Sequence, residues 1–523
     1  MKKSLFLLIV FLFNMAFILN AQKENTGKLN QLVIIANNTG PVISKDIYGH
    51  FSEHLGSCIY GGIWVGKESS ILNTYGIRDD VLFALREMKI PNLRWPGGCF
   101  ADTYHWKDGI GPQEKRASII NTHWGGVTED NSFGTHEFMK LIELLDCDAY
   151  ICGNVGSGSV KEMADWIEYL TSDSDSPMTR LRKENGREEP WKVKYFGIGN
   201  ENWGCGGNMT ADFYSDVMRQ YSTYLRNFSG NRLYRVACGA NNYEFEWTET
   251  LMREPVNRYM FQGLSLHYYS VPGGWGNKNS ATNFTEDDWF ETFRLNYEMD
   301  RIIKGHAAVM DRHDPRNTKG IVIDEWGNWF EVEPGTNPSF LYQQNTLRDA
   351  ITAAIHLNIF NHHADRVKVA NLAQTVNVLQ AVILTKDDKM VLTPTYHVFR
   401  MFSVHQEAQL LNTDLRCEDY VMGERAIPAI SASASVDKEG EIHISLANLN
   451  PSKEITVTCP VIGRTFKNVS GEVLTAPEMN AFNSFEKPEV VQPTVFKGFK
   501  YNDGTLSITM PAKSIVVLEL KKE

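Results

Sequence analysis

From residue 46 to residue 378 the chain switches repeatedly between two hydrophobic periods. Short apolar runs suited to buried strands alternate with stretches carrying the 3.6-residue repeat of a helix. Counted from Asp46, the strand-like runs fall at 46–56, 92–98, 148–154, 195–198, 235–241, 263–270, 320–329 and 367–378. Between them, residues 79–88 place Val81, Leu82, Leu85 and Met88 on one helical face. Residues 135–145, a stretch capped by Ser159, and residues 210–228 and 342–361 repeat that period. Eight strands with helices between them are what a (β/α)8 barrel of the α/β class requires.

In such a barrel the chemistry sits where the strands end. The fourth run, Tyr195 to Ile198, stops at Asn200, Glu201 and Asn202, with Trp203 behind them. Taken alone, Asn-Glu-Asn is equally a polar turn after a strand. The seventh run decides the matter, because it too delivers a carboxylate, Glu325, among tryptophans. Two strand-end carboxylates in an aromatic-lined site point to glycoside hydrolysis, in which paired carboxylates flank the scissile bond.

The ends of the chain read differently. Lys2 and Lys3, the apolar run 4–19 and the small Ala21 have the order of a secretory leader, 1–21, cleaved before Gln22; Leu19 leaves an uncleaved anchor as the alternative. The run 29–36 is a strand with no helix after it. Beyond about residue 401 the runs 442–446, 455–458 and 506–510 alternate with period two. These predict a C-terminal all-β, jelly-roll-like sandwich over 401–523, joined by the segment 22–45, beside a barrel over 46–400. A net charge of −11 argues against a nucleic-acid partner. The eight cysteines are scattered, in a chain large enough not to need disulfides. His267 and the pair His362-His363 lack companions at metal-ligand spacing, so no metal site is expected.

Several longer motifs carry a family resemblance. Tyr48-Gly-His-Phe-Ser-Glu53, Leu93-Arg-Trp-Pro-Gly-Gly-Cys99, Phe133-Gly-Thr-His-Glu-Phe138, Gly197-Ile-Gly-Asn-Glu-Asn-Trp-Gly204 and Asp324-Glu-Trp326 together resemble family 51 of the glycoside hydrolases, the α-L-arabinofuranosidases. The resemblance implies a barrel with a β-sandwich built partly from the N-terminus, a retaining mechanism and no cofactor. Glu201 then resembles the general acid/base and Glu325 the nucleophile. Asn200 matches the amide that bonds the sugar 2-hydroxyl, and Glu53 the carboxylate that binds outer hydroxyls. Cys99 falls where relatives touch the sugar, or is simply a buried small residue. Arg94 resembles the arginine beside the nucleophile, and Tyr269 (or adjacent Tyr268) the phenol bonded to it. His267 reads as support, and Trp329 and Gln374 match the sugar pocket.

The implied substrates are terminal α-L-arabinofuranosyl groups of arabinan or arabinoxylan side chains, met by an exported protein, periplasmic or extracellular, with no membrane contact after leader removal. The family's habit of assembling leaves a homo-oligomer open. A retaining glycosidase of β-xylosidic or β-glucan linkages, and a sugar-binding protein without catalysis, are the alternatives.

Overall fold

The computed structural model describes residues 30–522, so the leader reading lies outside the described residues. The chain enters through β1 (Gln31–Val42), which belongs to the all-β domain. It then builds the barrel strands β2 (Gly49–Phe51), β3 (Asn92–Trp95), β4 (Asp148–Gly153), β5 (Tyr195–Ile198), β6 (Tyr234–Asn241), β7 (Gly263–Ser270), β8 (Gly320–Asn328) and β9 (Val367–Ala373). These close in chain order, β9 beside β2, with every neighbouring pair parallel. The connections carry the amphipathic helices α1 (Asp79–Glu87), α2 (Thr135–Leu145), α3 (Val160–Thr171) and α4 (Ala211–Tyr224). Glu201 follows the fourth barrel strand and Glu325 lies in the seventh.

Three boundaries differ most from the sequence pattern. The expected strand 46–56 is a 3-10 turn, Lys45–Tyr48, ahead of a three-residue strand. Asp46 is turned to the barrel floor, where it accepts from Lys194 Nζ and the Tyr195 hydroxyl, each at 2.6 Å. The last barrel strand stops at Ala373 rather than reaching 378, and Gln374 follows through a cis peptide bond. The helix expected from 342 begins at Leu347, because Thr346 and Asp349 close a capping box there: Thr346 N donates to Asp349 Oδ2 at 2.8 Å.

That helix, α5 (Leu347–His362), is buried almost all round, which is why it lacks a polar face. On one side it packs on β8; on the other it carries Asn358 and Asn361, bonded to Ser431, Ser433 and Ser445. Those serines lie in β11 (Ile430–Val436) and β12 (Ile442–Asn448), which follow β10 (Gln409–Arg416). Then come β13 (Ile455–Ile462), β14 (Phe466–Leu474), β15 (Thr494–Val495), β16 (Phe499–Asn502), β17 (Thr505–Met510) and β18 (Ser514–Lys522). All join one ten-stranded sheet in the order β15-β14-β18-β12-β11-β10-β1-β13-β17-β16. β11 and β12 are buried along both faces, with α5 covering one of them. Within the sheet β1 runs antiparallel to β10 and parallel to β13.

Candidate active site

Everything chemical converges on the carboxyl ends of the barrel strands. A regular strand would send residues 324 and 325 to opposite faces. In β8, however, the pairing shifts register between Ile323 and Trp326 on one side, and opposite Ser265–His267 on the other. That irregularity lets both acidic side chains reach the barrel interior, while Trp326 packs outward against Phe360 and Phe399.

Glu325 accepts from Arg94 Nη1 at 2.9 Å and from the Tyr269 hydroxyl at 2.8 Å. The pleat of β7 settles which tyrosine this is. His267 and Tyr269 face inward, and Tyr268 between them donates outward to Leu295 O. Arg94 also donates to Asn200 Oδ1 at 2.5 Å, and its Nε lies 3.5 Å from Asp324. Burial opposes its charge, but Asp324 and Glu325 hold the guanidinium firmly protonated.

Glu201 sits just past β5 with a positive φ of 42°. Its Oε1 is 2.8 Å from His267 Nδ1, whose other nitrogen is 3.2 Å from Asp324 Oδ1. Burial works against a charged His267, yet the surrounding carboxylates Glu325, Asp324 and Glu201 lift it to about 10. An imidazolium therefore donates from both nitrogens. Asp324, also bonded by the Tyr150 hydroxyl at 2.5 Å, is held below the usual carboxylate range by Arg94 and His267 against the pull of burial. Glu201 goes the other way: burial first, then the charge of Glu325, raises it, and the His267 bond only partly offsets them.

Glu53 forms the opposite wall. Its Oε1 accepts from Phe100 N at 3.0 Å and Trp124 Nε1 at 2.9 Å, and its Oε2 from Gln374 Nε2 at 2.9 Å. Gly97 and Gly98 make room for it, since a Cβ at either would come within 2.9 Å of its side chain. Burial pushes Glu53 up to about 7. Trp329 meets Tyr269 edge-on at 5.1 Å. With Phe51, Leu55, Leu341 and Leu379 these residues line a small cavity of about 40 Å³.

Cys99 lies at the cavity wall, and it has a covalent partner that the scattered cysteine spacing did not give. Cys99 is bonded to Cys205. The bridge joins the loop after β3 to the loop after β5. It lines the cavity, with Cys205 Sγ 3.5 Å from Glu201 Oε2. Asp102 ties the same region together. Its Oδ1 accepts from Val155 N and Gly156 N at 2.7 Å, and its Oδ2 from Asn200 N at 3.0 Å.

Trp124, Asp324, Asp102 and the partner of Cys99 were not singled out from sequence as site residues. Asp324 alone left a trace, as the first residue of the Asp-Glu-Trp motif. Among the described residues, two groups bring three residues of metal-ligand type together: Cys99, Glu201 and Cys205; and Glu201, His267 and Glu325. In the first the sulfurs are bonded to each other, and in the second both imidazole nitrogens donate to carboxylates. Neither leaves a free donor set.

Comparison with known proteins gives a consistent pattern. Residues 84–229 match the family model described as the α-L-arabinofuranosidase 1 domain, and residues 324–514 the α-L-arabinofuranosidase C-terminal domain. The chain is 52% identical to an intracellular exo-α-L-arabinofuranosidase of Bacteroides ovatus, over 96% of this chain and 97% of that one. The crystal structure of a GH51 arabinofuranosidase from Xanthomonas axonopodis pv. citri superposes with a TM-score of 0.93 at 46% identity, covering 94% of this chain and 100% of the other. An arabinose complex of the Thermotoga maritima α-L-arabinofuranosidase gives 0.83 at 31% identity, over 94% and 99%.

Proposed function

This chain belongs to glycoside hydrolase family 51, the α-L-arabinofuranosidases, and from that premise we propose that it removes terminal α-L-arabinofuranosyl residues with retention of configuration. The observation that carries the mechanism is the closeness of Glu201 and Glu325, whose nearest grouped carboxylate oxygens lie within 4.8 Å. Retaining glycosidases hold their carboxyl groups about 5–5.5 Å apart, whereas inverting ones leave about 6.5–9.5 Å for a water.

The electrostatics divide the roles. Glu325, paired with Arg94 and Tyr269, is the anion that attacks the anomeric carbon. Glu201, raised by burial and by Glu325, carries the proton that the leaving oxygen takes. The first displacement gives an arabinosyl ester on Glu325. Glu201, now ionised, removes a proton from the water that cleaves the ester. In this reading Glu53, Gln374 and Asn200 bind the sugar hydroxyls, Trp124 holds Glu53 through its indole N–H, and Trp329 meets the sugar's apolar edge. The small cavity fits an exo mode, with one sugar bound and the rest of the substrate outside.

The substrates proposed are arabinose-containing plant polysaccharides and their oligosaccharides. Export is part of the same reading, supported by the order of residues 2–21 and by a disulfide suited to an oxidising compartment. It contrasts with the word intracellular in the Bacteroides ovatus relative's name. Protein recovered from a secreting host should begin at Gln22; a chain retaining Met1 in the membrane fraction overturns that part. For the mechanism, NMR of the first product from 4-nitrophenyl α-L-arabinofuranoside should show the α anomer before mutarotation. A first-formed β anomer overturns retention.

A further inference from the structure

Glu201 stands in a turn that its own backbone does not favour. Gly199 has a φ of +83° and Glu201 itself +42°, so two of three consecutive residues lie in the left-handed region. For a residue with a side chain, such a conformation persists only where the surrounding bonds over-determine it. Behind the turn, Glu201 O accepts from Gly204 N at 2.7 Å and from Gly206 N at 3.1 Å. In front of it the backbone is held by a carboxylate, since Asn200 N donates to Asp102 Oδ2 at 3.0 Å.

Asp102 lies in the 3-10 turn Cys99–Thr103 and is buried. Its carboxylate takes three backbone N–H groups from two other barrel loops: Val155 and Gly156, after β4, on Oδ1, and Asn200, after β5, on Oδ2. Among the described residues no cation bonds it directly. Burying such a carboxylate is costly, and the three donors offset that cost. Glycines leave it room: a Cβ on Gly206 would come within 2.6 Å of Asp102 Oδ2, and one on Gly156 within 2.9 Å of Asp102 Cβ. Asn200 is thereby gripped at both ends, by Asp102 at its peptide and by Arg94 at its side chain. Arg94 in turn bonds Glu325, so one short chain of bonds sets the spacing of the two carboxylates.

Resting on the proposed function, we infer that Asp102 is a positioning residue for proton transfer: through the Asn200 N–H it fixes where the Glu201 carboxyl stands relative to the leaving oxygen. The place requires a carboxylate. An amide there has one acceptor oxygen, which the N–H groups of Val155 and Gly156 take together. Its NH2 then faces the Asn200 N–H, donor against donor, and the turn that carries Glu201 is pushed aside. Glu325 keeps its bonds to Arg94 and Tyr269. The defect therefore falls on the step that puts a proton on the leaving oxygen, and spares attack on the anomeric carbon.

The test reads kcat/KM, which reports the first displacement, on two substrates: methyl α-L-arabinofuranoside, whose alkoxide must be protonated as it leaves, and 4-nitrophenyl α-L-arabinofuranoside, whose phenolate hardly needs a proton. Asp102→Asn should lose about 10²-fold on the methyl glycoside, the scale of a misplaced catalytic group. On the aryl glycoside it should lose under about fivefold, because general acid catalysis is not called on there. An unchanged kcat/KM on the methyl glycoside overturns the inference, and so does an equal loss on both, which is what a general loosening of the fold would give. Gly156→Ala keeps the carboxylate and presses on it from outside, and it decides the matter where Asp102→Asn does not fold. It should show the same leaving-group dependence with a loss of about tenfold on the methyl glycoside; no loss, or an equal loss on both substrates, overturns the inference. Turnover of both glycosides by the parent protein separates these outcomes from a failure of the proposed activity, which would leave neither substrate cleaved.

Discussion

His267 Nδ1 lies 2.8 Å from Glu201 Oε1, so the proton-carrying carboxyl is bonded to a residue that is itself a cation. This bond pulls the Glu201 pKa down, while burial and Glu325 push it up. Replacing His267 with Gln removes the downward pull and lets Glu201 keep its proton to higher pH. The basic limb of the kcat/KM profile should therefore move upward in His267→Gln, with kcat lowered. A limb that stays put or moves down would show that His267 does not set the Glu201 proton.

The two carboxylates should separate by product. Glu201→Ala should lose about 10²–10⁴-fold on substrates with poor leaving groups and far less on aryl glycosides. Azide, which needs no general base, should restore its turnover and give the azide of retained configuration. With Glu325→Ala, azide takes the place of the nucleophile and the product should be inverted. The opposite pairing of products would exchange the two roles.

Glu53 links the pocket to stability. Burial raises its carboxyl from 4.5 to about 7, so the folded chain binds a proton there that the unfolded chain has already released. The sign is destabilising as pH rises: stability is full below about 4.5 and is lost up to about 7. Glu53→Gln has no such proton to lose. Gln374 Oε1 has no hydrogen-bond partner and can turn to accept from the new amide. Relative to the parent, the Tm of Glu53→Gln should be higher at pH 8 than at pH 5, while KM rises. A Tm difference independent of pH would remove Glu53 as the cause.

The Cys99–Cys205 bridge spans 106 residues and pins the loop that carries Glu201. Disulfide bridges typically contribute about 2–4 kcal/mol. The Cys99→Ala, Cys205→Ala double variant should melt several degrees lower and lose kcat more than KM. Dithiothreitol should reproduce both effects in the parent and neither in the variant. A reductant effect on the double variant would place the sensitive group elsewhere.

The sequence carried the barrel because its strands are apolar runs cut off by glycine, proline and polar residues, a pattern that survives without knowing any contact. It carried Glu201 and Glu325 because each stands at the end of such a run. What it could not carry was distance across the chain. Trp124 reaches Glu53 from 71 residues away, through a loop with no periodicity. Cys205 meets Cys99 across 106 residues, and spacing does not encode pairing. Asp324 needed an irregularity in β8 to face inward beside Glu325, and a period-two reading sends one of the pair outward. The same pleat, once seen, separates Tyr269 from Tyr268.

The place of β1 in the ten-stranded sheet sets a timetable for synthesis. Gln31 pairs with Arg416 on one side and with Thr458 on the other. At about 5–20 residues per second on the ribosome, this strand waits roughly 20–80 seconds for its first partner to be made. Until then Leu32, Ile34 and Ala36, fully buried at the end, have no sheet to enter. The barrel can form in the interval, but the second domain cannot begin at the end where its chain starts. A nascent chain stopped near residue 400 should therefore leave β1 open to protease while the barrel resists, and protection of β1 should appear only once β10 and β13 have emerged.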